Sequence, residues 1–315
     1  MKKYILNNLS RRLSSKLILN PKLSNYSWWK IGGYANCLID IESIEDLKVT
    51  TTFLKAEAIP YCVIGEGTNI LFDDAGFDGC IIRIGRQFSS FEHSGDYYSV
   101  ESGYWVPNLA VRIAKLGYSG LEHVVGIPAS LGGLVAMNGG SKRKSISEFI
   151  ESVVVLESGG SIREDVNSAC GFNYRTSRYQ LSKEIILKVN FRFKNKKAYR
   201  LQRIEMLNIL RERNIKFPRK LPSCGSVFKS SPELYENYGT PGSIIENLGF
   251  KGLRRGDVQV SELHANFIVN LGGGSSNDIL ELVREIHSAV LARTGTCMVP
   301  EFLYVHPNRG ITQVL

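Results

Sequence analysis

A CxxC pair and a Cys/His cluster are both missing from this sequence; its six cysteines (Cys37, Cys62, Cys80, Cys170, Cys224 and Cys297) stand singly. That pattern argues against a zinc site and a disulfide framework, and it suits a reducing compartment. No metal is expected. Long hydrophobic runs are missing too. The N-terminus "MKKYILNNLSRRLSSKLILN" is basic, but its apolar runs are short and broken, without a signal-peptide core, and no stretch approaches a membrane span. A cytoplasmic protein with no membrane partner is the expectation. Internal repeats and low-complexity tracts are absent, which excludes a solenoid or a tailed protein. Neither GxGxxG nor Gly-Lys-Ser/Thr occurs, so the glycines do not spell a Rossmann fingerprint or a P-loop.

What is present describes an ordinary globular protein: 315 residues, 43% hydrophobic and 22% charged, enough for a substantial core and two or three domains. The net charge of +9 is partly local, in "SKRKS" (141–145), "KNKKAYRLQR" (194–203) and "RERNIKFPRK" (211–220). Such runs suit nucleic acid or an anionic small substrate such as a nucleotide sugar, and are most often plain solvated surface. No recognisable nucleic-acid module accompanies them, so no nucleic-acid partner is expected.

Local signals alternate between helix and strand. "SIEDLKVTTTFLKAEAIP" (43–60) opens on Ser43 as an N-cap with Asp46 three residues on, and stops at Pro60. "YCVIGEGTNILF" reads as strand, glycine loop, strand, and "GCIIRIG" as a further strand. "PNLAVRIAKLG" (107–117) has Pro at a helix start and Gly117 at its stop. "IILKVNFRF" (185–193) alternates as a half-buried antiparallel strand, with Lys188, Asn190 and Arg192 on its polar face. Further strands are expected around 225–229 and 266–271, then an amphipathic helix in "NDILELVREIHSAVLARTG", capped by Asn277 and closed by Gly295. The fold class is α+β, with a domain boundary near 195–200.

Two glycine-rich stretches carry the functional signal. "VIGEGTNIL" (63–71) places a tight loop after a β-run, where consecutive amides converge on an anion; "GIPASLGGLVAMNGG" (126–140) lets backbone approach a bulky ligand. The order "WWKIGGYA" (28–35), "GEGTNILFDDAGFDG" (65–79), "GIPASLGGLVAMNGG", "GFNYRTS" (171–177), "LPSCGSVFK" (221–229), "GDVQVSELHANFIVN" (256–270) and "VPEFLYV" (299–305) resembles the bacterial UDP-N-acetylenolpyruvoylglucosamine reductases (MurB) over roughly residues 25–305. The short distance from Arg175 to Ser226 matches the second type, which lacks a substrate-covering insertion.

The resemblance implies an FAD-binding fold of two α/β subdomains, of the broad class that includes several FAD-linked oxidases, followed by a substrate domain. The division implied is 1–25 as an N-terminal extension, 26–195 as the FAD-binding domain (subdomains about 26–88 and 89–195) and 196–315 as the substrate-binding domain. Non-covalent FAD would be held by Ile64, Gly65, Glu66, Gly67, Thr68, Asn69 and Ile70, and by Gly126, Ile127, Pro128, Ala129, Ser130, Gly132, Gly133, Asn138 and Gly139. Three departures are visible: Glu66 and Thr68 replace small residues and Ser, Ala129 replaces Gly, and "KSSPE" replaces Lys-Asn-Pro or Lys-Arg-Pro at Ser230.

By the same resemblance NADPH is the co-substrate, and hydride passes through FAD to the enolpyruvyl double bond of the UDP-sugar substrate. Arg175 matches the carboxylate-binding arginine, Ser226 the proton donor and Glu301 an acidic partner that must be protonated to help an anion. Burial of Glu301 between Val299 and Phe302 is expected to favour its acid form. Lys216 and Lys229 are candidate diphosphate contacts, Cys224 reads as a buried small residue, and the expected state is a monomer. The runner-up is another FAD-linked oxidase or dehydrogenase acting on a sugar acid or lactone. Many of those tether flavin through His, which "GEGTN" does not offer. A basic nucleic-acid-binding protein is the non-enzyme alternative, and it would carry no chromophore.

Overall fold

Helix Ile44–Ala56 starts where its sequence says: the Ser43 hydroxyl accepts from the Asp46 amide, and Glu45 and Asp46 lie in the first turn. Helix Val106–Lys115 likewise opens with Pro107 and buries Val106, Leu109, Ala110, Ile113 and Ala114. The computed structural model describes residues 3–315, so residues 1–2 of the expected N-terminal extension lie outside the described residues. The chain divides into two units, one of 1–19, 37–66 and 79–213, the other of 20–36, 67–78 and 214–315.

The first unit carries a four-stranded sheet in the order Lys16–Leu19, Ala35–Asp40, Phe77–Arg83, Tyr61–Ile64, the last two paired in parallel. A second sheet runs Phe91–Ser94, Tyr97–Glu101, Ile185–Arg192, Ile150–Leu156, Ile162–Val166, antiparallel throughout. Helix Ile44–Ala56 packs Leu47, Phe53 and Leu54 with Cys37, Cys80 and Ile82 in one core; helix Val106–Lys115 contributes to another with Val153, Val189 and Phe191. The central strand Ile185–Arg192 is antiparallel as expected, but Asn190 of its polar face is buried between half-buried Lys188 and exposed Arg192. Asn190 is only 4% exposed, and its Nδ2 donates to the Ser152 hydroxyl and to Glu164.

In the second unit Ile70–Phe72 pairs in parallel with Leu303–His306, which pairs antiparallel with Gly310–Thr312. A short meander, Arg254–Arg255, Val258–Val260 and Ile268–Asn270, lies with helix Ser276–Thr294 around a core of Trp29, Leu71, Val260, Val283 and Phe302. Ser275, rather than Asn277, caps that helix. Its hydroxyl accepts from the Asp278 amide while the Asp278 carboxylate accepts from the Ser275 amide, a reciprocal pair that Asn277 lacks an equivalent for. Gly295 closes the helix at φ 74°. Residues 225–229 form a single bridge, Phe228 to Pro300, instead of the expected strand.

Each packing unit draws together segments that are separate in the sequence. Met206 and Ile209 of helix Tyr199–Lys216 are buried in the first unit, while Trp29, Ile31 and Leu71 are core residues of the second. Mixed helices and mainly antiparallel strands make the class α+β. Among the described residues no helix is long and apolar enough to cross a membrane, and no group of three ligating side chains is placed to hold a metal.

Candidate active site

In the first unit, Ile64 ends strand Tyr61–Ile64, and its carbonyl accepts from the Ile84 amide at 2.9 Å. Gly65 follows because nothing larger fits: a Cβ there would lie 2.0 Å from Ser130 Oγ. The two glycine-rich loops therefore meet at Gly65 and Ser130. Glu66, one of the departures, pairs with Arg86 at 3.5 Å, and Arg86 lies 4.4 Å from the Trp105 ring centroid. Trp105 is itself bridged to Ser130, so Glu66 braces the junction instead of disrupting it.

The second loop is threaded by backbone bonds. The Ile127 amide donates to Val124, the Ala129 carbonyl accepts from Val106, and the Gly132 amide donates to Ser102 at 2.7 Å. Gly132 and Gly133 lie in helix Leu131–Ala136, and the Gly139 amide returns to Leu134. Gly126 and Pro128 complete the segment ahead of that helix. Asn138 is 3% exposed.

Arg175 is also in the first unit. It sits in a tight turn closed by reciprocal Asn173 and Thr176 backbone bonds of 3.1 and 3.2 Å, and its Nη2 donates to the Gly140 carbonyl at 2.8 Å. Its φ of 51° is left-handed, a conformation that costs a non-glycine residue about 1–2 kcal/mol.

In the second unit, Gly67 has φ 65°, and a Cβ there would lie 1.9 Å from the Tyr26 carbonyl oxygen. Its own carbonyl accepts from Trp28. After Thr68, Asn69 braces the C-terminal strand from both of its groups: its Nδ2 donates to the Glu301 carbonyl at 3.0 Å, and its carbonyl accepts from Leu303. Ile70 then opens strand Ile70–Phe72.

The segments that carry Ser226 and Glu301 are joined here by backbone bonds. The Glu301 amide donates to the carbonyl of Val227, the residue after Ser226, at 2.7 Å, and the Lys229 amide donates to Val299 at 2.8 Å. Asn266, 5% exposed, clasps the same segment. Its carbonyl and Oδ1 accept from the Val227 and Phe228 amides, and its Nδ2 donates to the Phe228 carbonyl. Sequence reasoning missed Asn266 as an organiser; its only signal was its place in the matched stretch "GDVQVSELHANFIVN".

Glu301 is half-buried. Phe302 beside it is 2% exposed but Val299 is 52% exposed, so the expected apolar enclosure exists on one flank only. Cys224 is buried, with Sγ 3.5 Å from the Ile70 carbonyl oxygen, and burial pushes its thiol up to about 12. Lys216 ends helix Tyr199–Lys216 beside Phe217, which stacks on Phe267 at 4.8 Å and tilts against His264. Burial, then the nearby Lys216 charge, lowers the His264 pKa to about 4.

The residues present fit a phosphate-bearing flavin. Among the described residues of the second unit the amides of Gly67, Thr68 and Asn69 donate to no backbone carbonyl, a run of donors suited to anionic oxygens.

Residues 35–165 match the FAD binding domain family, and residues 217–305 match the C-terminal domain of UDP-N-acetylenolpyruvoylglucosamine reductase. The chain is 41% identical over 283 residues to UDP-N-acetylenolpyruvoylglucosamine reductase 1 of Corynebacterium glutamicum, covering 90% of this chain and 84% of that one. It is 31% identical to the Bacillus subtilis reductase, covering 97% and 99% of the two chains. The crystal structure of the reductase (MurB) from Thermus caldophilus superposes with a TM-score of 0.76 at 32% identity, over 92% of this chain and 98% of that one. With both parts of the family matched in one chain at these identities, the protein belongs to the UDP-N-acetylenolpyruvoylglucosamine reductases, FAD-containing oxidoreductases of peptidoglycan synthesis.

Proposed function

We propose that this chain reduces the enolpyruvyl group of UDP-N-acetylglucosamine enolpyruvate to give UDP-N-acetylmuramate, as a cytoplasmic monomer, with NADPH as the electron source. FAD, when bound, would supply the hydride for the distal vinyl carbon. Negative charge then grows on the carbon next to the carboxylate, and the chain's own residues handle it. Arg175 takes the carboxylate with its planar fork, and Glu301 in its acid form donates a hydrogen bond to the developing enolate. Ser226 gives its proton to the carbon bearing the carboxylate, which completes the new C–H bond. Lys216 and Lys229 take the diphosphate. Functionally, residues 26–195 serve the flavin and 196–315 the UDP-sugar, with Gly65 to Ile70, Gly126 to Gly133 and Gly139 holding the cofactor.

The observation that carries this reading is the bond from the Glu301 amide to the Val227 carbonyl, which ties the segment that carries Glu301 to the one that carries Ser226. The test is anaerobic: NADPH should bleach the flavin band, and the enolpyruvyl substrate should restore it stoichiometrically. Bleaching without restoration would refute the substrate; failure to bleach would refute the electron source.

A further inference from the structure

Asn138 follows helix Leu131–Ala136 with φ 42°, in the left-handed region that asparagine tolerates better than most residues. Both ends of its buried carboxamide are used. Nδ2 donates to the Asn173 carbonyl at 2.8 Å, and Oδ1 accepts from the Ser147 amide at 3.3 Å. The partners fix its orientation, because a carbonyl only accepts and an amide only donates. Asn173 opens the turn that carries Arg175. Two more bonds join the same pieces: Arg175 to the Gly140 carbonyl, and the Ser177 hydroxyl to the Ala136 carbonyl at 2.7 Å. A turn of this kind ordinarily places glycine where Arg175 stands, and such strain persists only where the surroundings over-determine it.

We infer that Asn138 is a positioning residue: its side chain sets the Arg175 turn in register with the second glycine loop, in place of the cofactor contact its position suggests. The inference rests on Arg175 as the carboxylate-binding residue proposed above. Chemistry at the carboxylate depends on where the guanidinium sits, and a misplacement of about 1 Å costs roughly 100-fold in rate. Asn138→Asp is nearly isosteric but turns a carboxylate oxygen toward the Asn173 carbonyl, which repels the turn. Asn138→Gly keeps the left-handed backbone and deletes the tie.

Both variants should retain FAD and be bleached by NADPH within about three-fold of the normal rate, whereas reoxidation by the enolpyruvyl substrate should slow by about 10–100-fold. In an Arg175→Ala background neither substitution should slow reoxidation further, since the residue acts through Arg175. Where Asn138→Asp does not fold, Asn138→Gly carries the test. Normal reoxidation in a folded Asn138 variant, loss of FAD from both variants, or losses that multiply in the double variant would overturn the inference. Normal reoxidation by Arg175→Ala alone would instead remove the carboxylate role on which the inference depends, and the two failures are thereby distinguished.

Discussion

Gly65→Ala should weaken FAD binding through a single identifiable collision, and Ser130→Ala should undo it. The added methyl would sit 2.0 Å from Ser130 Oγ and 3.2 Å from Ser130 Cβ. The first contact is impossible and the second is merely tight. Overpacking of this sort costs about 1–3 kcal/mol. If that strain falls on the bound arrangement of the loops, FAD affinity drops roughly 5- to 150-fold. Removing Oγ leaves only the 3.2 Å contact, so the penalty in the Ser130→Ala background should fall below about 1 kcal/mol.

Gly67→Ala is the internal contrast. Its methyl would meet the Tyr26 backbone oxygen at 1.9 Å, an atom with no rotamer to escape into, and φ 65° adds about 1–2 kcal/mol of left-handed strain. No side-chain truncation rescues it. Titrating each apoprotein with FAD and following flavin fluorescence gives the dissociation constants for the cycle. A Gly65→Ala defect that Ser130→Ala does not relieve would refute the proposed contact. So would a Gly67→Ala variant as mild as Gly65→Ala.

Ser226→Ala should bleach with NADPH at nearly the normal rate and reoxidise about 10²–10⁴-fold more slowly, as stopped-flow absorbance will read. Cys224→Ser should leave both half-reactions within a few-fold, and in the native enzyme a thiol reagent should modify exposed Cys297 well before Cys224. Glu301→Gln keeps a hydrogen-bond donor and should retain far more activity than Glu301→Ala or Glu301→Lys; equal loss in all three would refute the donor role. His264 is held below its ordinary 6.5, at about 4, by burial and Lys216. The stability it contributes is therefore complete above about pH 6.5 and is lost as pH falls toward 4, and denaturant melts of His264→Asn should show a shallower decline over that window.

What the sequence made legible was local. The Ser43 cap, Pro107 at a helix start and Gly295 at a helix end each depend on neighbours within a turn, and each stands where the pattern put it. The choice of Ser275 over Asn277 was readable in principle, since only Ser275 has an acid three residues on. Long-range facts were not readable. Residues 20–36 and 67–78 join the second unit because Trp29, Ile31 and Leu71 find their apolar partners there, and the Trp29 Nε1 finds the Ile268 carbonyl at 2.7 Å. No local period encodes that. The left-handed Arg175 was equally hidden, because neither Gly nor Asn marks the position.

The segment "CGSVFK" shows why composition alone left its chemistry open. A thiol, a hydroxyl and an amine lie within six residues, and separating them takes contacts from outside the segment. Cys224 is sealed against the Ile70 carbonyl, and burial raises its thiol far above neutrality, which removes the thiolate a nucleophile needs. Beyond Ser226, every backbone polar group as far as the Lys229 amide has a partner: Asn266 takes both amides and one carbonyl of Val227 and Phe228, Glu301 takes the other carbonyl, and Val299 takes Lys229. The backbone after Ser226 is thus held along its length by groups far away in sequence. A half-buried serine on so fixed a support loses little freedom when it meets a substrate, as the proton-donor role proposed for Ser226 requires. The same clasp binds Glu301 to that support, so a displacement of either residue by mutation of Asn266 would move both.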